Sequence, residues 1–157
     1  MTDLNGQVAW VTGAGTGIGE AGAVELADAG CIVVLSGRRR EPLEAVADTI
    51  QNAGGTVEIE PLDVASQPDV AAVAGRILER HGRIDIGVFS AGINVTERNW
   101  PVVSVDSWDD VINIDLNGAF YCCHAVVPGM RTQGSGLIIN ISSMAAKGAS
   151  ALTGPAY

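Results

Sequence analysis

The sequence predicts a single-domain α/β protein with a parallel sheet that helices cover on both faces. Strand-like apolar stretches alternate with helix-like stretches over all 157 residues. The stretch 31–35 is apolar at every position, which is typical of a strand buried on both faces. The first strand-like stretch leads into a glycine-rich turn and then a helix, so the chain begins as a β-α-β unit with a right-handed crossover.

The periodicity predicts strands at 7–11, 31–35, 56–62, 84–89 and 136–141. The third of these alternates apolar and polar residues, which places it near a sheet edge. No repeat or linker interrupts the alternation. The irregular stretch 91–103, after the fourth strand, is a candidate binding loop.

The same pattern predicts helices at 17–29, 41–52, 67–80 and 104–127. Gly30 follows the last turn of the first helix, as glycine often does. Pro42 is tolerated in the first turn of the second helix, which Asn-Ala-Gly-Gly at 52–55 ends. We expect Pro128 and Gly129 to end the long fourth helix.

Composition excludes several classes of function. The formal net charge is −9, and the dense basic residues are confined to 38–40, which disfavours nucleic-acid binding. The sequence contains no bilayer-spanning apolar stretch and no signal peptide. Three cysteines without metal-ligand spacing predict reduced thiols in a cytoplasmic protein that holds no metal. His81 and His124 are interpreted as structural or surface residues.

The turn at 12–19 reads Thr-Gly-Ala-Gly-Thr-Gly-Ile-Gly. Residues without side chains let backbone N–H groups approach a phosphate, and the following helix N-terminus adds a partial positive charge. The general Gly-x-Gly-x-x-Gly fingerprint fails from Gly13, because Ile18 takes the place of its third glycine. The spacing is instead Thr-Gly-x-x-x-Gly-x-Gly. The alternative is an ordinary tight strand–helix turn.

Small or polar residues follow the other predicted strands. They are Ser-Gly-Arg-Arg at 36–39, Asp-Val at 63–64, Ser-Ala-Gly at 90–92 and Ser-Ser at 142–143. Ligands of doubly wound sheets bind at the carboxyl ends of the strands, where the strand order reverses. Packing alone does not explain four such endings beside a glycine turn, so we expect a binding site there.

The turn spacing resembles that of the short-chain dehydrogenase/reductase family. Ala91 and Gly92 resemble the end of the family's Asn-Asn-Ala-Gly motif, although Phe-Ser stands at 89–90 in place of Asn-Asn. Ser143 and Tyr157 match the family's active-site serine and tyrosine. The resemblance implies a Rossmann-type doubly wound sheet and the interconversion of a secondary alcohol and a ketone with a nicotinamide cofactor. It also implies a homodimer or homotetramer that associates through the long helix.

The resemblance also implies a set of cofactor contacts. These are Gly13, Gly15, Thr16, Gly17, Ile18, Gly19, Asp63, Val64, Ala91 and Gly92. In this set Asp63 accepts a hydrogen bond from the adenine amino group, and Val64 flanks the ring. The alternative for Asp63 is a turn or helix-capping residue.

The end of the second strand bears on the choice between NADP(H) and NAD(H). An NAD site usually has a carboxylate there for the ribose 2′-OH. Here Gly37 stands at that position, and Arg38 and Arg39 follow. A guanidinium group binds a 2′-phosphate with paired hydrogen bonds, so we predict NADP(H), with Arg38 contributing most. A solvated arginine pair is the alternative, although cations are unfavourable near a helix N-terminus.

The resemblance assigns the chemistry to two residues. Ser143 donates a hydrogen bond to the substrate oxygen, and Tyr157 is the general acid in reduction and the base in oxidation. The family has a lysine four residues after this tyrosine, and the given sequence ends at Tyr157. We therefore expect a piece of a longer enzyme that turns over poorly by itself.

Asp115 stands where the family often has an asparagine of a proton relay, in the pattern Asn-x-x-Gly. Either an acid runs this relay, or Asp115 is an ordinary helix residue with a local hydrogen bond. Trp100, in the loop 91–103, is interpreted as an anchor of that loop or a substrate contact. Two alternative functions stay open: the same enzyme with NAD(H), and a non-catalytic dinucleotide-binding protein.

Overall fold

The computed structural model describes residues 4–147. Its strands are β1 (Val8–Thr12), β2 (Ile32–Ser36), β3 (Thr56–Ile59), β4 (Ile86–Phe89) and β5 (Leu137–Asn140). They form one parallel sheet in the order β3-β2-β1-β4-β5. This order confirms the predicted doubly wound sheet of the Rossmann type, with the reversal of strand order between β1 and β4.

The helices are α1 (Gly17–Asp28), α2 (Arg40–Asn52), α3 (Gln67–His81), α4 (Val105–Val111) and α5 (Ala119–Gln133). Between α4 and α5 the backbone is π-helical over Ile112–Gly118. A 3₁₀ turn, Met144–Lys147, follows β5. No helix within residues 4–147 is long and apolar enough to cross a membrane.

The side chains of β1 alternate between two buried layers. Ala9 and Val11 lie in a cluster with apolar residues of α1 and α2. Val8 and Trp10 lie in a second cluster with apolar residues of α3 and α5. Since successive strand residues point to opposite faces, one buried strand supplies both layers, and helices cover both faces of the sheet.

The third strand lies at an edge of the described sheet, as its alternating pattern predicts. It ends at Ile59, earlier than the predicted 56–62. The chain nevertheless continues beside β2, because the Glu60 N–H donates to the Leu35 carbonyl and the Leu62 N–H donates to the Gly37 carbonyl. These hydrogen bonds place the residues after β3 beside the carboxyl end of β2.

The predicted end of the long helix at Pro128 is wrong. α5 continues through Pro128 to Gln133 and ends at Gly134, whose φ is +70°. A proline removes one N–H donor from a helix. Val126 and Met130, on either side of Pro128, are buried against the sheet, and this burial maintains the helix across the missing bond.

Candidate functional site

The carboxyl ends of four strands lie level with one another. Thr12 is in register with Ser36 of β2 and with Phe89 of β4, and Phe89 is in register with Asn140 of β5. A cavity of about 720 Å³ opens along this edge. Its volume lies in the usual range for small-molecule sites, about 300–1,000 Å³.

Most of the residues expected from the sequence line this cavity. They are Gly13, Gly15, Thr16, Ile18, Arg38, Arg39, Asp63, Val64, Ala91, Gly92, Asp115 and Ser143. Gly17 and Gly19 belong to the same turn and do not line the cavity. Tyr157 lies outside the described residues.

The glycine turn fits closely against the end of β4. Gly13 has φ +66°, and a Cβ there would lie 2.7 Å from the Ser90 carbonyl oxygen and from the Ala91 nitrogen. A Cβ on Gly19 would collide with the Gly13 carbonyl oxygen. A side chain at either position would therefore displace the turn from the sheet.

The N-terminus of α1 follows this turn without a side-chain cap. The N-cap residue, Thr16, makes no side-chain hydrogen bond to the first turn of the helix. The N–H groups of a helix's first turn lack partners within the helix, and they carry a partial positive charge. Since Thr16 and Ile18 line the cavity, this helix end is suited to an anionic group.

Polar contacts hold the strand ends together beneath the cavity. The Trp10 indole N–H donates to Ser36 Oγ at 2.9 Å, and the Ala14 N–H donates to the Ser36 carbonyl at 3.1 Å. The Ala91 N–H lies 3.4 Å from Thr12 Oγ1. Ser36 and Thr12 therefore position the turn relative to the neighbouring strands.

Three consecutive arginines have different environments at the start of α2. Arg40 pairs with Glu44 one helical turn later, with 2.7 Å between Nε and Oε1. Arg38 and Arg39 line the cavity and form no ion pair within residues 4–147. Two arginines thus line the cavity at the end of β2.

Asp63 makes a contact of the kind expected for a turn residue, and it also lies at the cavity. Its Oδ1 accepts a hydrogen bond from the Ala65 N–H at 3.1 Å, which is a local turn contact. The residue also lines the cavity beside Val64. This contact engages Oδ1 of the carboxyl group, and the second oxygen takes no part in it.

Asp115 reaches the cavity from the π-helical segment. Its Oδ1 accepts a hydrogen bond from the Ile93 N–H at 2.8 Å. Burial raises the pKa of this carboxyl group, and the hydrogen bond from Ile93 offsets part of the rise. Asp115 therefore connects the segment to the loop after β4, with a partner 22 residues away in the sequence and not within its own helix.

Ser143 lies beyond the end of β5 at the same cavity. Its Oγ accepts a hydrogen bond from the Ala145 N–H at 3.1 Å, at the start of the 3₁₀ turn. The hydroxyl hydrogen is therefore available for a ligand, since a hydroxyl both donates and accepts. Ser142 lines the cavity too, and it is the more exposed of the two serines.

A family model described as short chain dehydrogenase matches residues 7–157. The chain belongs to the short-chain dehydrogenase family. It is 42% identical over 141 residues to the short-chain reductase protein NovJ of Streptomyces niveus, which covers 90% of this chain and 53% of NovJ. The chain spans a little over half the length of the curated relatives that it matches.

Solved structures of short-chain dehydrogenases superpose closely on the chain. A metagenomic short-chain oxidoreductase in complex with NADP has a TM-score of 0.92 and 38% identity, and the match covers 97% of this chain and 69% of that one. A variant of actinorhodin polyketide ketoreductase with NADPH has a TM-score of 0.89 and 30% identity, with coverages of 94% and 57%.

This short-chain dehydrogenase departs from the family's pattern at the end of β4. Phe89, which replaces the first asparagine of the motif, is buried and lies edge-on to Trp10 with 5.8 Å between ring centroids. Ser90, which replaces the second, lines the cavity. Phe89 therefore packs in the hydrophobic core, and Ser90 leaves a small polar group at the site.

Sequence reasoning missed several lining residues, namely Pro42, Leu43, Ile114, Ala119 and Asn140, whereas Ile93 and Asn94 fall in the predicted binding loop 91–103. Pro42 and Leu43 lie in the first turn of α2, one residue beyond the arginines. Their position in the sequence could have predicted this, because the first residues of a helix that begins at a strand end lie near the carboxyl edge of the sheet. Ile114 and Ala119 reach the cavity from the π-helical region, which the sequence pattern does not reveal.

Trp100 does not line the cavity. It stacks on Trp108 with 6.4 Å between ring centroids, and it is 77% exposed. The stacking joins the loop after β4 to α4, which agrees with the interpretation of Trp100 as an anchor of that loop. His81 lies away from the cavity, with its Nε2 2.9 Å from the Glu58 carboxylate.

Proposed function

We propose that the full-length protein is an NADP(H)-dependent oxidoreductase that interconverts a secondary alcohol and a ketone. One observation carries this proposal: a single cavity extends from two arginines after β2, across the glycine turn, to a serine after β5. This order is the one in which a nicotinamide dinucleotide presents a 2′-phosphate, a pyrophosphate and a reactive ring.

The residues present fit such a cofactor. The close approach of Gly13 to the end of β4 and the uncapped start of α1 provide a cradle for a pyrophosphate. Arg38 and Arg39 bind the 2′-phosphate, and Asp63 accepts a hydrogen bond from the adenine amino group. Ala91 and Gly92 line the other half of the cavity. The lack of large side chains there leaves room for the second ribose and the nicotinamide ring.

Ser143 and Tyr157 act on the substrate oxygen. The bound cofactor supplies or accepts a hydride at C4 of its nicotinamide. Ser143 donates a hydrogen bond that positions the carbonyl or alcohol oxygen. Tyr157 gives that oxygen a proton in reduction and removes it in oxidation. Asp115 is assigned to the proton relay.

The names of similar proteins support a carbonyl substrate. NovJ is named a short-chain reductase, and the polyketide ketoreductase structure holds NADPH. We assign a small-molecule alcohol or ketone to this protein on that basis. Exposed Leu116 and Phe120, on the outer side of the long helical region, support association into a homodimer or homotetramer.

The cofactor assignment is tested with Arg38→Asp in the full-length protein. Titration with NADPH and NADH, followed by the fluorescence of the reduced ring, gives both dissociation constants. We expect the variant to lose about 100-fold in NADPH affinity and to prefer NADH, because a carboxylate repels a 2′-phosphate and binds a 2′-OH. Arg40→Asp is the control, since it makes the same charge change at a residue that does not line the cavity.

The possible results separate the candidate functions. If Arg38→Asp and Arg40→Asp had the same NADPH and NADH dissociation constants, the NADP(H) assignment would be overturned and NAD(H) would be favoured. A protein that binds NADPH and yet leaves it unoxidised with every ketone tested would favour the non-catalytic dinucleotide-binding alternative. Under the proposed mechanism, Tyr157→Phe abolishes turnover and retains NADPH binding.

A further inference from the structure

Asp115 places a carboxyl group in one particular half of the cavity. The Ile93 N–H holds its Oδ1, and a Cβ on Gly92 would lie 3.4 Å from the same oxygen. Both neighbours belong to the chain that leaves β4. Arg38 and Asp63 lie at the opposite end, beyond β2 and β3. On the proposed function, on which this inference rests, the adenosine half binds at the arginine end and the nicotinamide half binds beside Asp115.

The charge on Asp115 has no ionic partner within residues 4–147. The ionisable groups on the surrounding elements are Asp63, Glu97 and Arg98 in loops, Asp106, Asp109 and Asp110 on α4, Tyr121, Cys122, Cys123, His124 and Arg131 on α5, and Lys147 after β5. None of them is a cause of the pKa shift of Asp115, which comes from burial and from the Ile93 hydrogen bond. The charge is therefore free to act on a ligand.

The two redox forms of a nicotinamide cofactor differ at the ring, which carries a positive charge when oxidised and none when reduced. A carboxylate at the cavity wall attracts the oxidised ring and has little effect on the neutral one. An asparagine, which the family often has at this position, lacks that charge. We propose that Asp115 is a specificity-determining residue that makes the site favour NADP⁺ over NADPH.

The linkage between ionisation and binding is reciprocal. The bias requires the ionised carboxylate, so it is present above the pKa of Asp115 and disappears as the pH falls through it. Conversely, NADP⁺ lowers the pKa of Asp115 by the same coupling free energy, and NADPH leaves it nearly unchanged. A pH-dependent ratio of the two affinities thus identifies an ionisable group, which a purely structural role would not produce.

The test compares dissociation constants of NADP⁺ and NADPH, measured by calorimetry on the full-length protein. Asp115→Asn retains an oxygen acceptor for the Ile93 N–H and removes the charge. We expect the ratio of the NADP⁺ constant to the NADPH constant to rise about tenfold in this variant. Asp110→Asn, an exposed change on α4, is the matched control and leaves the ratio unchanged.

Wild-type protein provides a second measurement that does not depend on the folding of a variant. Its ratio should rise, by about tenfold in total, as the pH is lowered through the pKa of Asp115, and Asp115→Asn should show a flat profile. Tight binding of both forms with an unchanged, pH-independent ratio would overturn this inference and leave the proposed function intact. Failure of wild-type protein to bind either form would overturn both.

Discussion

Gly13 lies where the turn after β1 contacts the end of β4. Gly13→Ala forces a side chain into a left-handed conformation and places its Cβ 2.7 Å from two backbone atoms of β4's continuation. We expect a loss of about 1–3 kcal/mol in unfolding free energy and about tenfold in NADPH affinity. Urea denaturation and fluorescence titration measure the two effects.

Gly22→Ala is the control for this change. Gly22 lies in α1, has ordinary helical φ, and has open space around the position of a Cβ. Alanine there should raise stability by about 0.5–1 kcal/mol and leave NADPH affinity unchanged. Similar losses in both variants would contradict the close fit inferred for Gly13.

Glu60 shows how burial and pairing compete at one carboxyl group. Burial by itself would raise its pKa, but the hydrogen bonds and charges of Arg76 and Arg80 outweigh burial and lower the pKa below its ordinary 4.5. A carboxyl group with a lowered folded-state pKa stabilises the protein above the unfolded-state pKa, and this contribution is lost as the pH falls through the folded-state value.

Glu60→Gln should therefore destabilise the protein at pH 7 by about 1–3 kcal/mol, and the difference from wild type should shrink below pH 4.5. Chemical denaturation at a series of pH values measures it. Glu44→Gln, which removes the exposed pair with Arg40, should cost less than about 0.5 kcal/mol. A difference for Glu60→Gln that persists undiminished at pH 3 would contradict the assignment.

Among the helices, α5 shows how strongly the burial of a side chain contributes to the unfolding free energy. Val126 is 2% exposed and packs against the sheet, whereas its neighbour Val127 is 37% exposed. Val126→Ala should lower the unfolding free energy by about 1–3 kcal/mol, through lost burial and a residual cavity. Val127→Ala should change it by less than about 0.5 kcal/mol. Thermal and urea unfolding of both variants provide the comparison, and equal costs would refute the packing of α5.

The sequence pattern predicts the elements well where the signal is local. The apolar stretch 31–35 predicts a strand buried on both faces, and the alternating stretch after residue 55 predicts an edge strand; both predictions are confirmed. Pro128 shows the limit. A local rule ends the helix there, but the burial of Val126 and Met130 overrides it.

The π-helical segment could not be predicted for the same reason. In this segment Gly118 packs closely on Val64: a Cβ added at Gly118 would lie 2.7 Å from Val64 Cγ2. Asp115, in the same segment, accepts a hydrogen bond from the Ile93 N–H. Both contacts join residues far apart in the sequence. The site was more accessible to prediction, because the residues after parallel strands converge at one edge whatever the details of the helices. The roles of Ser143 and Tyr157 stay predictions.

At the scale of the whole molecule, net charge opposes the proposed ligand. The chain carries a formal charge of −9, and the cofactor is a polyanion. At 0.1 M salt the Debye length is about 10 Å, so most of the distant acidic groups are screened. Arg38 and Arg39, at the end of β2, line the cavity itself. Their attraction for the 2′-phosphate therefore remains at this salt concentration.

Raising the salt concentration from 0.1 to 1 M should therefore weaken NADPH binding more than NADH binding. The Debye length falls to about 3 Å, which screens the exposed arginines from a 2′-phosphate that only NADPH carries. We expect the ratio of NADPH to NADH affinity to fall about threefold, because exposed ion pairs contribute about 0.2–1 kcal/mol each. Arg38→Gln should remove most of this dependence and Arg40→Gln should retain it, since Arg40 is paired with Glu44 outside the cavity lining. A ratio independent of salt in the wild-type protein would mean that the 2′-phosphate is held by uncharged groups, and the charge-based preference for NADP(H) would have to be abandoned.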